Sequence, residues 1–331
     1  MREETRSGSG SKVLRQEEHE AVSDTESLKQ SAEYWGADLV GVAPMARFEG
    51  APAEMDPRFI FPEAKACVVV AIRIPRGVYR GIEEGTYFAA AGVMGYGAIN
   101  LNFGPFVLWR LVRLLEDAGY EAVPITNVED RLVWIGGKQV APDRPAPDIK
   151  VNLRLAAVAA GLGEIGYSKL LLTPRFGPRQ RIAGLVLTDA PLEPDPLFEG
   201  QICDRCLLCV RDCSAQAISR DETDSVTVGG RTFEWGRLDT SRCTLGYAGG
   251  VRETSPYLTE EAEANLSGEQ PWASIMGLPY NRAAYDGLLH HPVPIEGARG
   301  CIRACMIHLE ETGRIQARFH EPFRKRPMWR L

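Results

Sequence analysis

The chain has 331 residues and no run of about 18 consecutive apolar ones, so no membrane span is expected. Its first twenty residues, MREETRSGSGSKVLRQEEHE, carry neither an apolar core nor a twin-arginine pair. No secretory leader is therefore expected, and residues 1–20 read as a disordered N-terminus. An excess of positive charge is missing too. The net charge is −6, which leaves nucleic acid without an electrostatic reason to bind. No internal repeat appears beyond a loose duplication of one cysteine pattern. With 44% hydrophobic and 25% charged residues the composition is that of an ordinary globular protein. That suffices for one large core plus a small second module. The expected location is cytoplasmic, a reducing compartment in which eight cysteines stay free or metal-bound.

Four of those cysteines stand in the stretch Ile202–Ser219 as Cys203-x2-Cys206-x2-Cys209-x3-Cys213. This is the spacing of a [4Fe-4S] ferredoxin motif, in which three thiolates wrap one cluster and the fourth reaches a second cluster. Zinc sites pair two CxxC knuckles instead, and disulfides between such close cysteines would close very small loops. The proline that usually follows the fourth cysteine is absent, and Ser214 stands there. Further on lie Cys243 and the pair Cys301-x3-Cys305. Interleaved ligation assigns Cys203, Cys206, Cys209 and Cys305 to the first cluster, and Cys213, Cys243 and Cys301 to the second. The second cluster then lacks one cysteine, because Ala298 occupies the position three before Cys301. Three solutions remain open: a side chain such as Glu296, His290 or His291 fills the site, the cluster is [3Fe-4S], or one iron stays open to solvent or substrate. Cys67, at the start of an apolar strand, reads as core.

Along the chain, a helix is expected near Asp24–Trp35, with Ser23 or Asp24 as its cap. Lys65–Ile74 (KACVVVAIRI) is the strongest strand, central and covered on both faces. A long amphipathic helix ends at Gly119, and a strand follows over Tyr120–Thr126. Asn152–Ala160 reads as helix, Leu170–Thr173 and Ile182–Thr188 as strands. Strands alternating with helices give an α/β domain over residues 21–196. A double-cluster module is expected over 197–312, with a hairpin turned at Gly229-Gly230 and a helical patch at Leu258–Leu266. Residues 313–331 form a basic tail, read as a solvated arm. Gly161-Leu-Gly-Glu-Ile-Gly166 spells GxGxxG, but a helix precedes it and a strand follows. That is the reverse of a dinucleotide fingerprint. Its glycines are expected to allow close backbone approach to something bulky.

The cysteine run, LDTSRC243, the Cys301–Cys305 pair and the stretch RLAAVAAGLGEIGYSKLLLTPRFGPRQRIAGLVLTDAPLEPD (154–195) resemble epoxyqueuosine reductases and reductive dehalogenases. AGLGE, LLTP, FGPR and TDAPL give the stretch a dehalogenase form. The resemblance implies a nitroreductase-like α/β domain that holds cobalamin base-off, followed by a ferredoxin-like double-cluster module. It implies corrinoid contact for the loop glycines Gly161, Gly163 and Gly166, and a proton-donor role for Asp148 by motif position. Tyr96, in the glycine-rich GVMGYGAIN, is a second proton-donor candidate. A packing tyrosine and an ordinary loop aspartate are the plain alternatives. Against the epoxyqueuosine reductase pattern, Leu153 replaces a glutamate, Asp148 sits about one position off, and the C-terminal helical-repeat region is missing. The lack of a twin-arginine signal speaks against a respiratory dehalogenase.

Two functions compete at this stage. The first is a reductase that passes electrons from an external ferredoxin- or flavodoxin-type donor, through two clusters, to a corrinoid that reduces a small organic substrate. The second is a corrinoid-free iron–sulfur electron carrier that serves a partner.

Overall fold

In the computed structural model the described residues are 24–127, 137–266, 271–279, 281–282 and 295–331. The first helix, α1 (Thr25–Tyr34), is capped by Asp24, whose carboxylate accepts from the Ser27 N–H at 2.8 Å. Then follow β1 (Leu39–Pro44), β2 (Ala66–Arg73), α2 (Arg80–Glu83), α3 (Gly104–Asp117), β3 (Ala122–Thr126), α4 (Leu153–Ala159), β4 (Glu164–Ile165), β5 (Leu171–Leu172) and β6 (Gln180–Thr188). The main sheet has the order β1-β2-β6-β3 and every pairing in it is antiparallel. Helix and strand are mixed as expected; the alternation did not carry strand direction, which the connections decide.

β2 is an inner strand, buried from Ala66 through Ile72. Its side chains alternate between two cores, as a period of two requires. Val68, Val70 and Ile72 face α1 and α3, packing with Leu28, Leu108 and Leu111. Cys67 and Val69 face α4, packing with Ala156 and Leu187. Cys67 is a core residue, and burial pushes its thiol pKa far up.

The cysteine-bearing part holds α5 (Leu208–Arg211), the hairpin β7 (Ile218–Val228) and β8 (Arg231–Leu238), α6 (Thr240–Tyr247), α7 (Glu296–Arg299) and α8 (Cys301–Glu311). The hairpin turns at Gly229 and Gly230, with φ of 56° and 82°, as the glycine pair requires. This part has a small cluster of its own around Ala248, Ala262, Ile275 and Leu278, and it also shares the main core. Ile295, Ala298, Met306 and Ile307 are buried in the same cluster as the face of β2 that carries Val68.

The C-terminal tail corrects the expectation of a solvated arm. Phe323 is 2% exposed and part of the main core, and the Trp329 indole N–H donates to the Ile82 carbonyl at 2.7 Å. Arg324 and Arg326 pair with Glu83 and Glu84. Two aromatic rings give the tail apolar surface to bury, and α2 supplies carboxylates for its arginines.

Candidate functional site

Cys203, Cys206, Cys209 and Cys305, the four residues assigned to the first cluster, line one small cavity. Arg205 and Leu207 both adopt left-handed backbone with φ of 57°, which winds this short run tightly between its cysteines. The start of the run is held by Glu164 of the GxGxxG segment. Its buried carboxylate accepts the N–H of Ile202 at 2.7 Å and that of Cys203 at 2.6 Å, and pairs with Arg231 at 3.3 Å. The Tyr167 N–H donates to Cys203 Sγ at 3.4 Å. Burial and neighbouring cysteine charges push the Cys209 thiol up to about 12, and Cys305 is raised by the same causes. Thiolates this crowded are stable only with a cation among them, and soft sulfur ligands at this spacing fit an iron–sulfur cluster. At the same cavity, Asp204, Cys206 and His308 bring ligand atoms within 4.8 Å of one another, with His308 Nε2 2.8 Å from Asp204 Oδ2.

Cys213, Cys243 and Cys301 pack together against Ile218 and Cys209. The Ala217 N–H donates to Cys213 Sγ at 3.4 Å, and Ser214, in place of the usual proline, bonds the Thr254 hydroxyl at 3.2 Å. Ala298 packs into the main core rather than among the cysteines. His290 and His291 lie outside the described residues, as does the side chain of Glu296.

Helix α8 joins these sites to the rest of the protein through two faces. Cys301 and Cys305, four residues apart, share one face. Arg303 and Glu310, two turns apart, share the opposite face. Arg303 pairs with Glu83 of α2 at 2.7 Å, while Glu310 takes Arg76 at 2.8 Å and Arg179 at 3.5 Å. Burial depresses the Arg303 guanidinium to about 10, still charged at neutral pH, with Glu83 opposing the shift. The reciprocal pairs fix the register of α8 against the sheet.

Between α8 and the sheet lies a cavity of about 640 Å³, lined by Asp148, Arg154, Arg181 and Ile302 among others. Apolar side chains from β3, β5 and β6 form much of its wall, with the polar groups among them. Arg154 sits in the first turn of α4, which Asn152 caps at 3.2 Å to the Arg154 and Leu155 N–H groups. Tyr96 stands behind the wall: the Arg181 guanidinium lies 3.9 Å from its ring centroid. Asn100 orients Arg181 by accepting from its Nε at 3.3 Å. The ring of Tyr247, from α6, lies 6.3 Å from that of Tyr96, and burial, with the Tyr96 charge beside it, raises the Tyr247 phenol pKa.

The sequence thus singles out Asp148, which lines the cavity, and Tyr96, which stands one side chain back. The three glycines are placed elsewhere. A Cβ on Gly161 would meet the Pro196 carbonyl oxygen at 2.2 Å, one on Gly163 the Leu172 carbonyl oxygen at 1.9 Å, and one on Gly166 the Leu172 side chain at 2.6 Å. Close approach is their role as expected, but the bulky neighbour is the protein's own β5 and the segment after β6, not the cavity. Gly166 borders the four-cysteine cavity.

No family model matches the chain. A tetrachloroethene reductive dehalogenase of Desulfitobacterium hafniense is 49% identical over 251 residues, 65% of this chain and 43% of that protein. The same-named protein of Dehalobacter restrictus is 44% identical over 251 residues, with the same two coverages of 65% and 43%. The chain is reductive dehalogenase-like. It spans less than half the length of these relatives. The solved structure of the K488Q variant of the catabolic reductive dehalogenase NpRdhA aligns with a TM-score of 0.50 at 22% identity, over 86% of this chain and 39% of that one. That likeness concerns the fold. In this reductive dehalogenase-like chain, sequence reasoning missed Glu164, Arg181 and Tyr247. Only Glu164 left a signal, as the one carboxylate inside a glycine loop.

Proposed function

We propose that the chain is an iron–sulfur, corrinoid-dependent reductase of a small halogenated organic substrate. One observation carries this reading. Helix α8 bears Cys301 and Cys305, one from each cysteine set, and Ile302 between them lines the 640 Å³ cavity. Groups that would hold two redox centres and the wall of a ligand cavity thus share one turn of helix. The first cluster would be held by Cys203, Cys206, Cys209 and Cys305. The second would be held by Cys213, Cys243 and Cys301, with a non-cysteine fourth ligand or an open iron. A corrinoid fits the mixed lining of the cavity, where apolar side chains of β3, β5 and β6 suit a flat macrocycle and Asn152, Arg154 and Lys150 suit its polar rim. When bound, it supplies a metal centre that accepts single electrons and attacks carbon–halogen bonds.

In the net reaction an organohalide takes two electrons and one proton, replaces its halogen by hydrogen and releases halide. The electrons come from an external ferredoxin- or flavodoxin-type donor. The proton comes from Asp148 at the cavity rim or from Tyr96. Arg181 over the Tyr96 ring, and the Tyr247 hydroxyl beside it, stabilise negative charge left on that oxygen. The test is halide release by anaerobically reconstituted, cobalamin-supplied protein with a reduced viologen. Wild type should release halide, and Tyr96→Phe and Asp148→Asn show which group donates. No halide from any small organohalide, with full iron present, contradicts the reading.

A further inference from the structure

Glu83, buried at the end of α2, takes two guanidiniums, Arg303 Nη1 at 2.7 Å and Arg324 Nε at 3.0 Å. The three side chains together carry an excess of positive charge inside the protein. Asp212, a further acid whose charge reaches Arg303, is answered by its own Arg211 at 2.7 Å. Arg299, buried at the end of α7, adds positive charge that bears on Arg303. Arg303 itself is 0% exposed, and among the described residues its Nε and Nη2 have no hydrogen-bond acceptor. One ion pair would suffice for the register of α8, and apolar side chains of similar volume would hold the helix at least as well. An excess charge kept out of water costs stability and so calls for a use.

The place of Arg303 on α8 supplies one. It stands two residues after Cys301 and two before Cys305, which the proposed reductase assigns to different clusters. Its side chain leaves the opposite face of the helix, so its charge lies one helix diameter, about 10–12 Å, from the two sulfur atoms. An iron–sulfur cluster gains one negative charge on reduction, and its potential follows the charge and solvent exposure around it. Salt screens such a buried charge little. We infer that Arg303, with Arg324 and Glu83, sets the potentials of both clusters: the buried excess of positive charge raises them and so eases their reduction by the external donor. This rests on the cluster assignments of the proposed reductase and not on its substrate. Arg303 touches neither cluster and acts only through its field. At an effective dielectric constant of about 20, one charge at that distance shifts the ratio of reduced to oxidised cluster roughly tenfold, which is about 59 mV for one electron.

The test is a mediated redox titration of the anaerobically reconstituted full chain, followed by EPR, with iron content and melting temperature measured beside it. Arg303→Met removes the charge and should lower both potentials, a roughly tenfold loss in the reduced-to-oxidised ratio at a fixed poise. Glu83→Gln removes the opposing charge and should raise both. Arg303→Lys keeps the charge and should keep the potentials, even where lost packing lowers its melting temperature. A purely structural role gives another pattern, in which melting temperatures fall in all three variants and the potentials stay. Potentials unmoved in Arg303→Met, a shift of the same sign in Arg303→Met and Glu83→Gln, or a shift confined to one cluster overturns the inference. Should Arg303→Met fail to take up iron, Arg324→Gln decides. That guanidinium is 23% exposed in the C-terminal tail, so the variant should fold with full iron and lower both potentials; unchanged potentials overturn the inference. Wild-type protein with only about four irons would refute the cluster assignments and the inference with them. Potentials that shift as expected in protein that releases no halide from any organohalide would refute the reductase and leave the role of Arg303 standing.

Discussion

Replacing Glu164 by alanine should damage the cysteine run more than any surface change near it. The carboxylate is 6% exposed and accepts two backbone N–H groups, from Ile202 and Cys203, at 2.7 and 2.6 Å. Removing it leaves two buried donors without an acceptor, each worth about 1–3 kcal/mol, and frees the Arg231 charge. A total near 3 kcal/mol corresponds to a fall of about 5 °C in melting temperature for a chain of this size. Because the donors flank the first cysteine, the same change should loosen the first cluster, taking iron from about eight per chain toward about four. Glu164→Gln keeps an oxygen acceptor and loses only the charge, so it should retain most of the iron. The assays are calorimetry and iron–sulfide analysis of anaerobically reconstituted protein. A Glu164→Ala protein that melts within about 1 °C of wild type with full iron would refute the argument that this carboxylate holds the loop.

Three further outcomes follow from the same contacts. Cys206→Ser should lose the first cluster while Cys67→Ser keeps all iron; iron lost from Cys67→Ser would make that thiol the missing ligand and contradict its place in the core. Cluster loading should fall as pH is lowered, because the raised thiols of Cys206, Cys209 and Cys305 must each give up a proton to bind iron; a reconstitution yield independent of pH between about 6.5 and 8.5 argues against those cysteines as ligands. Phe323→Ala should cost about 3–5 kcal/mol, as for a core ring, whereas a tail that was only a solvated arm would lose nothing measurable on thermal unfolding.

What the sequence made legible was whatever depends on local pattern. The apolar run at β2, the Asp24 cap and the Gly229-Gly230 turn were all readable, since each is decided by residues a few positions apart. The four cysteines around the first cavity were also readable, including the distant Cys305, because ferredoxin ligation interleaves by rule. What stayed hidden depends on surfaces meeting across the fold. The basic tail looked solvated because its arginines are numerous, yet Glu83 at the end of α2 and Glu84 just beyond it wait for them. The glycine loop suggested a bulky ligand, and the neighbour proved to be the Leu172 carbonyl. Arg181 sits inside an ordinary strand sequence, and its importance appears only once Tyr96, Asn100 and Arg154 are seen around it.

Cob(II)alamin titrated into anaerobically reconstituted protein and followed by EPR probes whether the cavity beside α8 takes a corrinoid. Saturable binding of one corrinoid per chain is expected, with a base-off spectrum free of nitrogen superhyperfine splitting. Protein that carries its full iron and shows no cobalamin binding would contradict the corrinoid reading and leave an iron–sulfur electron carrier in its place.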